Sequence, residues 1–538
     1  MKKKTINKIV ATVLGSVTAL ASLGACGVNK KIIDPNVEDT KNLYIYIIKR
    51  GYGSDWLFEV AKKFEAKTGV NVEVTAPSSA TVLASSLDSG PRSTNDVDIY
   101  FNTQDCRLLK SNYVNRWTGY DNGIMDLTEL YGMKVMGEEV TVGEKMVDSF
   151  RENANTGTAE NPDYRTIPWA TGVMGMTYNI DVFNLLFGDT WESKLPRTTN
   201  ELLALAKEIK GLGGTPFIFP GQIDYFSSSM FNVWFAQYSG YEKFKNFYNA
   251  LVEDPAFPGE FNVSKDIFKD QGRLKAIEVM YSLINHNEGL YWENGFSYGS
   301  TDFTDLQVRY LTTENKVAMM PNGDWLENES AQAGSSEFGM MKSPVISSII
   351  DRLPTVNDDA TLSAVVDYVD GKTETAPAGV SETDIKEVKD ARNMYFSQGL
   401  SHSAYMPAYS NAKTNAFKFF TYLASDEAIE IYNKYVGGGF LPFKYDYSNS
   451  ENMSAFEKDI SSLVSNMIYC GELNYSSVFY KGKLKGVYYA DGSFLETKLS
   501  APHNNKVYMT PQEAFEEYWY TDAQWQAVVE SADLGNLI

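Results

Sequence analysis

The sequence predicts an α/β protein with two lobes, and three observations lead to that prediction. Apolar runs typical of buried strands alternate along the chain with amphipathic helical segments. The length of 538 residues exceeds the usual size of a single domain, so more than one hydrophobic core is expected. Hydrophobic residues make up 43% of the chain and charged residues 22%, as in ordinary globular proteins, which argues against wholesale disorder.

The first 25 residues are predicted to be an export signal outside the fold. Four lysines precede an apolar stretch from Ile9 to Leu20, which is too short and too interrupted by Thr, Gly and Ser to span a membrane. The closing segment LGAC, residues 23–26, resembles the lipobox of bacterial lipoproteins, in which the Cys carries lipid. We therefore expect Cys26 to be acylated and to hold the protein at the extracytoplasmic face of the cell membrane. The alternative is a chance thiol in an ordinary signal.

The fold is predicted to begin after a polar tether at residues 26–42. Leu43–Ile48 is continuously apolar, as expected of a strand that is buried on both faces. Apolar residues then recur at helical spacing from Leu57 to Phe64, and Gly69 is expected to end that helix. Val70–Val74 alternates like a second strand, so the order strand, helix, strand predicts a right-handed parallel unit.

Capping signals and periodicity predict further elements. Thr198 and Glu201 have the spacing of a capping box in front of an apolar helix. Thr510 precedes Pro511, a residue favoured at the first helical position. The remaining predictions are the helices Leu202–Ile209, Ala416–Leu423 and Glu427–Tyr435 and the strand Phe217–Phe219.

Residues 345–403 interrupt this alternation and are predicted to be a family-variable insertion. Within them Asp367–Gly371 faintly resembles a calcium-binding loop, but it lacks the alternating ligands and the final Glu of that motif. We interpret it as a solvated turn.

The composition argues against nucleic acid and metal as partners. The chain has 69 acidic and 48 basic residues, a formal charge of -21, and removal of the signal takes away four lysines and no acidic residue. Such a surface repels phosphate backbones, so no nucleic-acid partner is expected. The three histidines are far apart in sequence and none has zinc-site spacing, so no metal site is expected. Cys106 and Cys470 are interpreted as two separate buried thiols, although pairing stays open.

No motif for a nucleophile elbow, a P-loop or a dinucleotide fold is present, so neither an enzyme nor a cofactor is predicted. Paired carboxylates of a glycoside hydrolase stay possible, because 69 acidic residues guarantee some pairs. The aromatic content is more informative. The chain has 34 Tyr and 9 Trp against 29 Phe, and the rings of Tyr and Trp join an apolar face to a polar tip, as sugar-binding clefts require.

Four segments carry a family resemblance: Asp98–Asp105 (DIYFNTQD), Ile167–Asp181, Gln222–Phe226 (QIDYF) and Lys316–Trp325 (KVAMMPNGDW). Their order and spacing resemble those of maltose-binding-type extracellular solute-binding proteins, the receptors of carbohydrate ABC importers. The resemblance implies a two-lobe periplasmic-binding-protein-like fold with a ligand cleft between lobes joined by crossing hinge strands. It also implies a monomer.

The resemblance places lobe one at residues 43–170 plus 404–447, and lobe two at 172–403 plus 448–538. Trp325 and Tyr225 would be stacking platforms, and Asp105 would accept hydrogen bonds from sugar hydroxyls.

The other site residues implied by the resemblance lie beside these positions. Asn102 stands where family members often have an aromatic residue. Trp169 lies in an apolar strand and is equally well explained as core. Asp324, next to Trp325, has the alternative of a capping or turn residue. Three further candidates lie in or just after the first strand-to-helix loop: Arg50, Tyr52 and Trp56.

We therefore expect a lipid-anchored receptor that captures a carbohydrate, specifically an oligosaccharide, and passes it to ABC permease subunits by hinge closure. One alternative is the same fold binding a peptide or an anionic metabolite, since Lys49 and Arg50 adjoin the first loop. The other is an extracellular glycan-degrading enzyme.

Overall fold

A computed structural model describes residues 36–49, 51–77, 95–101, 123–221, 223, 225–248, 250–292, 303–330, 336–447, 453–471, 495–500, 509–517 and 519–531. The export signal, Cys26 and most of the predicted tether lie outside these residues. So do Arg50, Asn102, Asp105 and Cys106. No helix within the described ranges is both long enough and apolar enough to cross a bilayer.

The strands in chain order are β1 (Asn42–Ile47), β2 (Asn71–Thr75), β3 (Ile99–Phe101), β4 (Ile167–Pro168), β5 (Val173–Asn179), β6 (Thr215–Phe217), β7 (Leu251–Glu253), β8 (Phe261–Val263), β9 (Val317–Gly323), β10 (Phe338–Met340), β11 (Met394–Ser397), β12 (Ser403–Tyr405) and β13 (Ile468–Tyr469).

The helices are α1 (Asp55–Thr68), α2 (Thr128–Tyr131), α3 (Val142–Lys145), α4 (Asp148–Ala154), α5 (Ile180–Phe187), α6 (Thr199–Gly211), α7 (Asn232–Ser239), α8 (Tyr241–Tyr248), α9 (Gln271–Ile284), α10 (Phe303–Tyr310), α11 (Leu326–Ser330), α12 (Asp359–Val369), α13 (Glu382–Arg392), α14 (Lys413–Leu423), α15 (Asp426–Tyr435), α16 (Ala455–Val464), α17 (Leu495–Ser500), α18 (Pro511–Glu516) and α19 (Asp522–Ser531).

The first sheet has the strand order β2-β1-β3-β12-β4. β1 pairs in parallel with β2 and with β3, so the predicted parallel pairing of the first two strands is confirmed. α1 buries an apolar face that includes Trp56, Val60 and Phe64. It ends where Gly69 adopts a left-handed φ of 71° and donates its N–H to the Glu65 carbonyl, as the sequence predicts.

The second sheet has the order β13-β11-β5-β9-β6, and β10 pairs with β5 beside β11. All seven residues of β5 and all seven of β9 are buried, including the polar Thr177, Asn179 and Asn322. The two sheets with their helices confirm the predicted α/β, two-lobe fold class.

Three chain segments run between the two sheets and lie side by side. The first links β4 to β5, the second links β11 to β12, and the third passes through Phe440. Backbone hydrogen bonds of 2.8 Å join Thr171 N to Phe440 O, Gln398 N to Gly172 O, and Trp169 N to the carbonyl of His402. These bonds hold the crossing segments together, so residues near position 171 lie at the junction of both lobes.

Helix caps follow the sequence signals with one difference. Thr510 and Glu513 form the complete capping box, with Pro511 inside the helix start. The Thr198 hydroxyl accepts from Glu201 N as predicted. The Glu201 carboxylate, however, accepts from the backbone N of Arg197, at 2.8 Å.

The interpretation of Asp367–Gly371 as a solvated turn is wrong for Asp370. α12 continues to Val369, and the Asp370 carboxylate forms an ion pair of 2.8 Å with Arg392 in which both side chains are only 5% exposed. The Asp370 carboxylate therefore contacts the buried guanidinium of Arg392 and not solvent. Residues 345–403 also supply β11, which pairs with both β5 and β13 and so lies inside the second sheet.

Candidate functional site

Aromatic side chains from both lobes and from a crossing segment form one cluster at the junction. The ring centroids of Tyr52 and Trp169 are 5.6 Å apart, and those of Tyr52 and Trp325 are 6.1 Å apart, both edge to face. The ring of Tyr225 lies 5.8 Å from that of Trp325. The structure thus brings together four residues that the sequence places at widely separated positions.

Trp325 lies between the two lobes. Its indole covers Gly323, where a Cβ atom would be 2.3 Å from the ring, and its Cβ faces Gly51 of the first loop, where an added Cβ would be 2.9 Å away. The side chain is 5% exposed in this arrangement. Separation of the lobes would uncover it, because one of its walls belongs to the first loop.

Tyr225 is half-buried and is the most accessible ring of the cluster. It follows β6 and precedes a π-helical turn at Ser227–Phe231 that continues into α7. The Tyr225 carbonyl accepts a hydrogen bond from the Ser229 hydroxyl. This local structure fixes the start of the helix and with it the position of the Tyr225 ring.

His402 is a member of the cluster that sequence reasoning missed. Its ring lies 5.1 Å from Tyr52, 5.3 Å from Trp169 and 6.2 Å from Trp325. Nδ1 is 3.0 Å from the Gln398 carbonyl oxygen, so in the neutral ring this nitrogen carries the proton. Only the crossing of β11 to β12 brings His402 here, and no local motif signals that crossing.

Trp56 and Trp169 are fully buried. Their rings stack at 5.9 Å with an interplanar angle of 24°, and Trp56 also meets Phe101 and Tyr432 edge to face. Both side chains are therefore enclosed by protein and support the cluster from the side of lobe one.

Asp324 is fully buried and accepts hydrogen bonds from side-chain and backbone donors. The Tyr52 hydroxyl donates to Oδ1. The Thr171 hydroxyl donates to Oδ2 at 2.6 Å, and Val173 N donates to the same oxygen at 3.0 Å. Burial raises the pKa of Asp324 to about 6, while these hydrogen bonds favour the charged form and oppose that rise.

The first loop and α11 make a second polar contact across the junction. The Asn328 amide donates to the Gly51 carbonyl. Nearby, the Ser454 hydroxyl donates to Glu327 at 3.1 Å, and burial raises the pKa of Glu327 above its ordinary value. α11 is therefore tied to lobe one on one side and to the start of α16 on the other.

A separate surface cavity of about 430 Å³ lies between α8 and the β7–β8 hairpin. Phe247, Leu251 and Phe261 contribute its apolar wall, and Lys243 and Glu253 lie on its polar rim. No predicted site residue lines it. The junction is the better candidate site, because the sequence motifs and the aromatic cluster coincide there.

The predicted contacts at Arg50, Asn102 and Asp105 lie outside the described residues, as does Asp224. Cys470 is fully buried. In the parts of the chain that the structure covers, no three His, Cys, Asp or Glu side chains are grouped so as to hold a metal ion.

Comparison with protein families matches residues 59–459, well over half of the chain, to the bacterial extracellular solute-binding protein family. The chain belongs to this family. Solute-binding proteins of this kind act outside the cytoplasm, so an extracytoplasmic location follows from membership. A search of curated proteins finds no match.

Solved structures share the fold over nearly their whole length. A family 1 extracellular solute-binding protein from Bifidobacterium longum subsp. infantis is 14% identical, with 90% of this chain and 99% of that chain covered and a TM-score of 0.50. A chitin oligosaccharide binding protein is 16% identical, with 91% and 100% covered and a TM-score of 0.51. The apo-form of RafE from Streptococcus pneumoniae is 14% identical, with 89% and 97% covered and a TM-score of 0.53. At these identities the likeness shows the two-lobe solute-binding fold alone.

Proposed function

We propose that this solute-binding protein captures a carbohydrate, an oligosaccharide, between its lobes and delivers it to an ABC importer by hinge closure. The observation that carries the proposal is the pair formed by Tyr225 and Trp325, whose ring centroids lie 5.8 Å apart at the junction of the lobes. Aromatic faces stack on the C–H faces of sugars. The relative whose name states chitin oligosaccharide binding supports the same ligand class.

Trp325 and Tyr225 would contact the sugar directly from lobe two. Asp105, Asn102 and Arg50 would face them from lobe one, with the Asp105 carboxylate accepting from hydroxyl groups. A ligand held between both walls binds the closed form better than the open form, and only such a difference in affinity can drive closure.

The four buried candidates would act behind this contact surface. Trp56 and Trp169 are enclosed by other rings and would support the wall of lobe one. The Tyr52 hydroxyl donates a hydrogen bond to the Asp324 carboxylate. Their polar atoms are thereby occupied by protein, and we assign them to the junction between the lobes instead of to the sugar.

Isothermal titration calorimetry with neutral oligosaccharides of several linkages tests the ligand class. We expect binding by the wild type and a loss of ~30-fold in affinity for Trp325→Ala, which corresponds to about 2 kcal/mol for one stacking ring. Trp519→Ala is the matched control, because Trp519 is 40% exposed and packs on Phe515 near the C-terminus. Full sugar affinity in Trp325→Ala would remove the proposed platform.

Two further experiments test the two rival functions. Titration with peptides and anionic metabolites tests the non-sugar receptor, for which exposed Lys49 beside the first loop is the motivating residue. Incubation of the purified protein with oligosaccharides tests the enzyme. Product formation in that incubation would overturn the receptor proposal.

We also propose that lipid on Cys26 anchors the mature chain at the membrane. The support is the LGAC sequence after an apolar signal segment. Cell fractionation of a Cys26→Ser variant is expected to move the protein from the membrane to the soluble extracytoplasmic fraction. Retention of the variant at the membrane would contradict the lipid anchor.

A further inference from the structure

The hydrogen bond between Tyr52 and Asp324 joins the two lobes. Tyr52 lies in the loop between β1 and α1, whereas Asp324 follows β9 of the second sheet. The same carboxylate accepts from Thr171 in the first crossing segment and from Val173 at the start of β5. Asp324 is therefore bonded at once to lobe one, to lobe two and to the connection between them.

Opening of the cleft would break one of these bonds selectively. Val173 starts β5, which pairs with β9, so the bond from Val173 N to Asp324 travels with lobe two. Tyr52 travels with lobe one, so its hydroxyl would leave Oδ1. Water would then replace it at a carboxylate that is fully buried in the present arrangement.

We propose that the Tyr52 hydroxyl and the Asp324 carboxylate form a latch that sets the balance between the closed and the open cleft. This inference rests on the lobe movement of the proposed function. It assigns these two residues to the stability of the closed form, which acts on affinity for any ligand without contact to that ligand.

Two glycines after α15 allow the backbone to approach this latch closely. Gly438 has a φ of 79°, and a Cβ there would be 2.6 Å from the Asp324 carbonyl oxygen. A Cβ at Gly439 would be 2.7 Å from the Tyr52 ring. The third crossing segment thus packs its backbone at Gly438 and Gly439 against both members of the latch.

The latch is expected to respond to pH. In the closed form burial raises the pKa of Asp324 to about 6. In the open form the hydrated carboxylate returns toward its ordinary pKa, so the closed form holds the proton more tightly. A fall in pH through about 6 therefore favours closure. The proton on Oδ1 can be donated to the Tyr52 oxygen, so the interlobe bond survives protonation.

The titratable groups that face the latch are few in the described chain. Burial and the Asp324 charge raise the pKa values of Tyr52 and Tyr432 far above the range of the proposed response. Glu329 acts on Tyr52 through its charge. The His402 ring also packs on Tyr52, with the ring centroids 5.1 Å apart.

Small-angle X-ray scattering of the ligand-free protein measures the ratio of closed to open molecules, and Tyr52→Phe is the test variant. Phe keeps the ring packing and removes only the hydroxyl. We expect the closed-to-open ratio to fall about tenfold, as for loss of a hydrogen bond to a charged group. The wild type is expected to become more closed between pH 7.5 and 5.5, and Asp324→Asn is expected to lose this response.

Tyr178→Phe is the matched control. The Tyr178 hydroxyl donates at 3.3 Å to Asp459, a half-buried carboxyl whose pKa burial also raises to about 6, but both residues belong to lobe two. This variant should leave the lobe balance unchanged. Scattering curves of Tyr52→Phe that match those of the wild type at both pH values would overturn the latch. No sugar is used, so failure of the ligand proposal would leave this result intact.

Discussion

Gly172 lies where the first crossing segment meets the second, and replacement by Ala is expected to be severely destabilising. Its φ is +57°, in the left-handed region that residues with a Cβ disfavour. A Cβ atom would also lie 2.8 Å from Gly399 N and 2.9 Å from the Gln398 carbonyl carbon. Both are backbone atoms of the neighbouring segment, so neither can rotate away.

The magnitude is the sum of two effects. The left-handed conformation costs an L-residue about 1–2 kcal/mol. Forcing a methyl group against fixed backbone costs about 1–3 kcal/mol, as in overpacked cores. The Gly172 carbonyl accepts from Gln398 N at 2.8 Å, so a shift of the chain to relieve the contact would weaken that hydrogen bond as well. Gly172→Ala should therefore lower the free energy of unfolding by ~2–5 kcal/mol.

Urea unfolding followed by circular dichroism measures this change, with Gly69→Ala as the control. Gly69 has a similar φ of +71°, but nothing lies within 4 Å of its added Cβ. The control should lose only the conformational part, about 1–2 kcal/mol. If Gly172→Ala were no less stable than Gly69→Ala, the close approach of the crossing segments would not constrain the fold as argued.

Two further predictions concern charges buried in lobe two. Arg392→Met leaves the 5% exposed Asp370 without its main partner and should lower the free energy of unfolding by about 3–5 kcal/mol. The control is Lys386→Met, which breaks the exposed ion pair with Asp390 and should lower it by less than about 1 kcal/mol. Equal losses would contradict the burial argument. Burial raises the pKa of Asp459 to about 6, so its stabilising contribution is complete below the ordinary pKa and is lost as pH rises through about 6. Melting temperatures of Asp459→Asn should therefore depend less on pH between 4 and 6 than those of the wild type; parallel profiles would refute this.

The sequence predicts elements well where the signal lies within one element. Gly69 and Thr510 mark helix ends through local hydrogen bonds, and the structure has those ends at the predicted residues. The strand predicted at Phe217–Phe219 lies two residues earlier, at Thr215–Phe217, because pairing with β9 decides its limits and an apolar run does not.

The sequence predicts several residues of the candidate site but not the contacts between them. The motif around Trp325 indicates a loop after a buried strand, and the structure has Trp325 in that position. The role of Asp324 depends on Tyr52, which lies 272 positions earlier in the chain. His402 likewise acquires its ring partners only through packing of distant segments. Contacts of this kind are set by tertiary structure, which no local pattern encodes.

The order of the first sheet has a consequence for synthesis. β4 pairs with β12 and β12 pairs with β3, so among the described strands β4 joins the sheet only through one that follows it by more than two hundred residues. At 5–20 residues per second, roughly 10–50 s separate the appearance of the two strands. During that interval the edge of β3 lacks its partner and could pair with other chains. Export of an unfolded chain, with folding after Tyr405 has crossed the membrane, would avoid this exposure in the crowded cytoplasm.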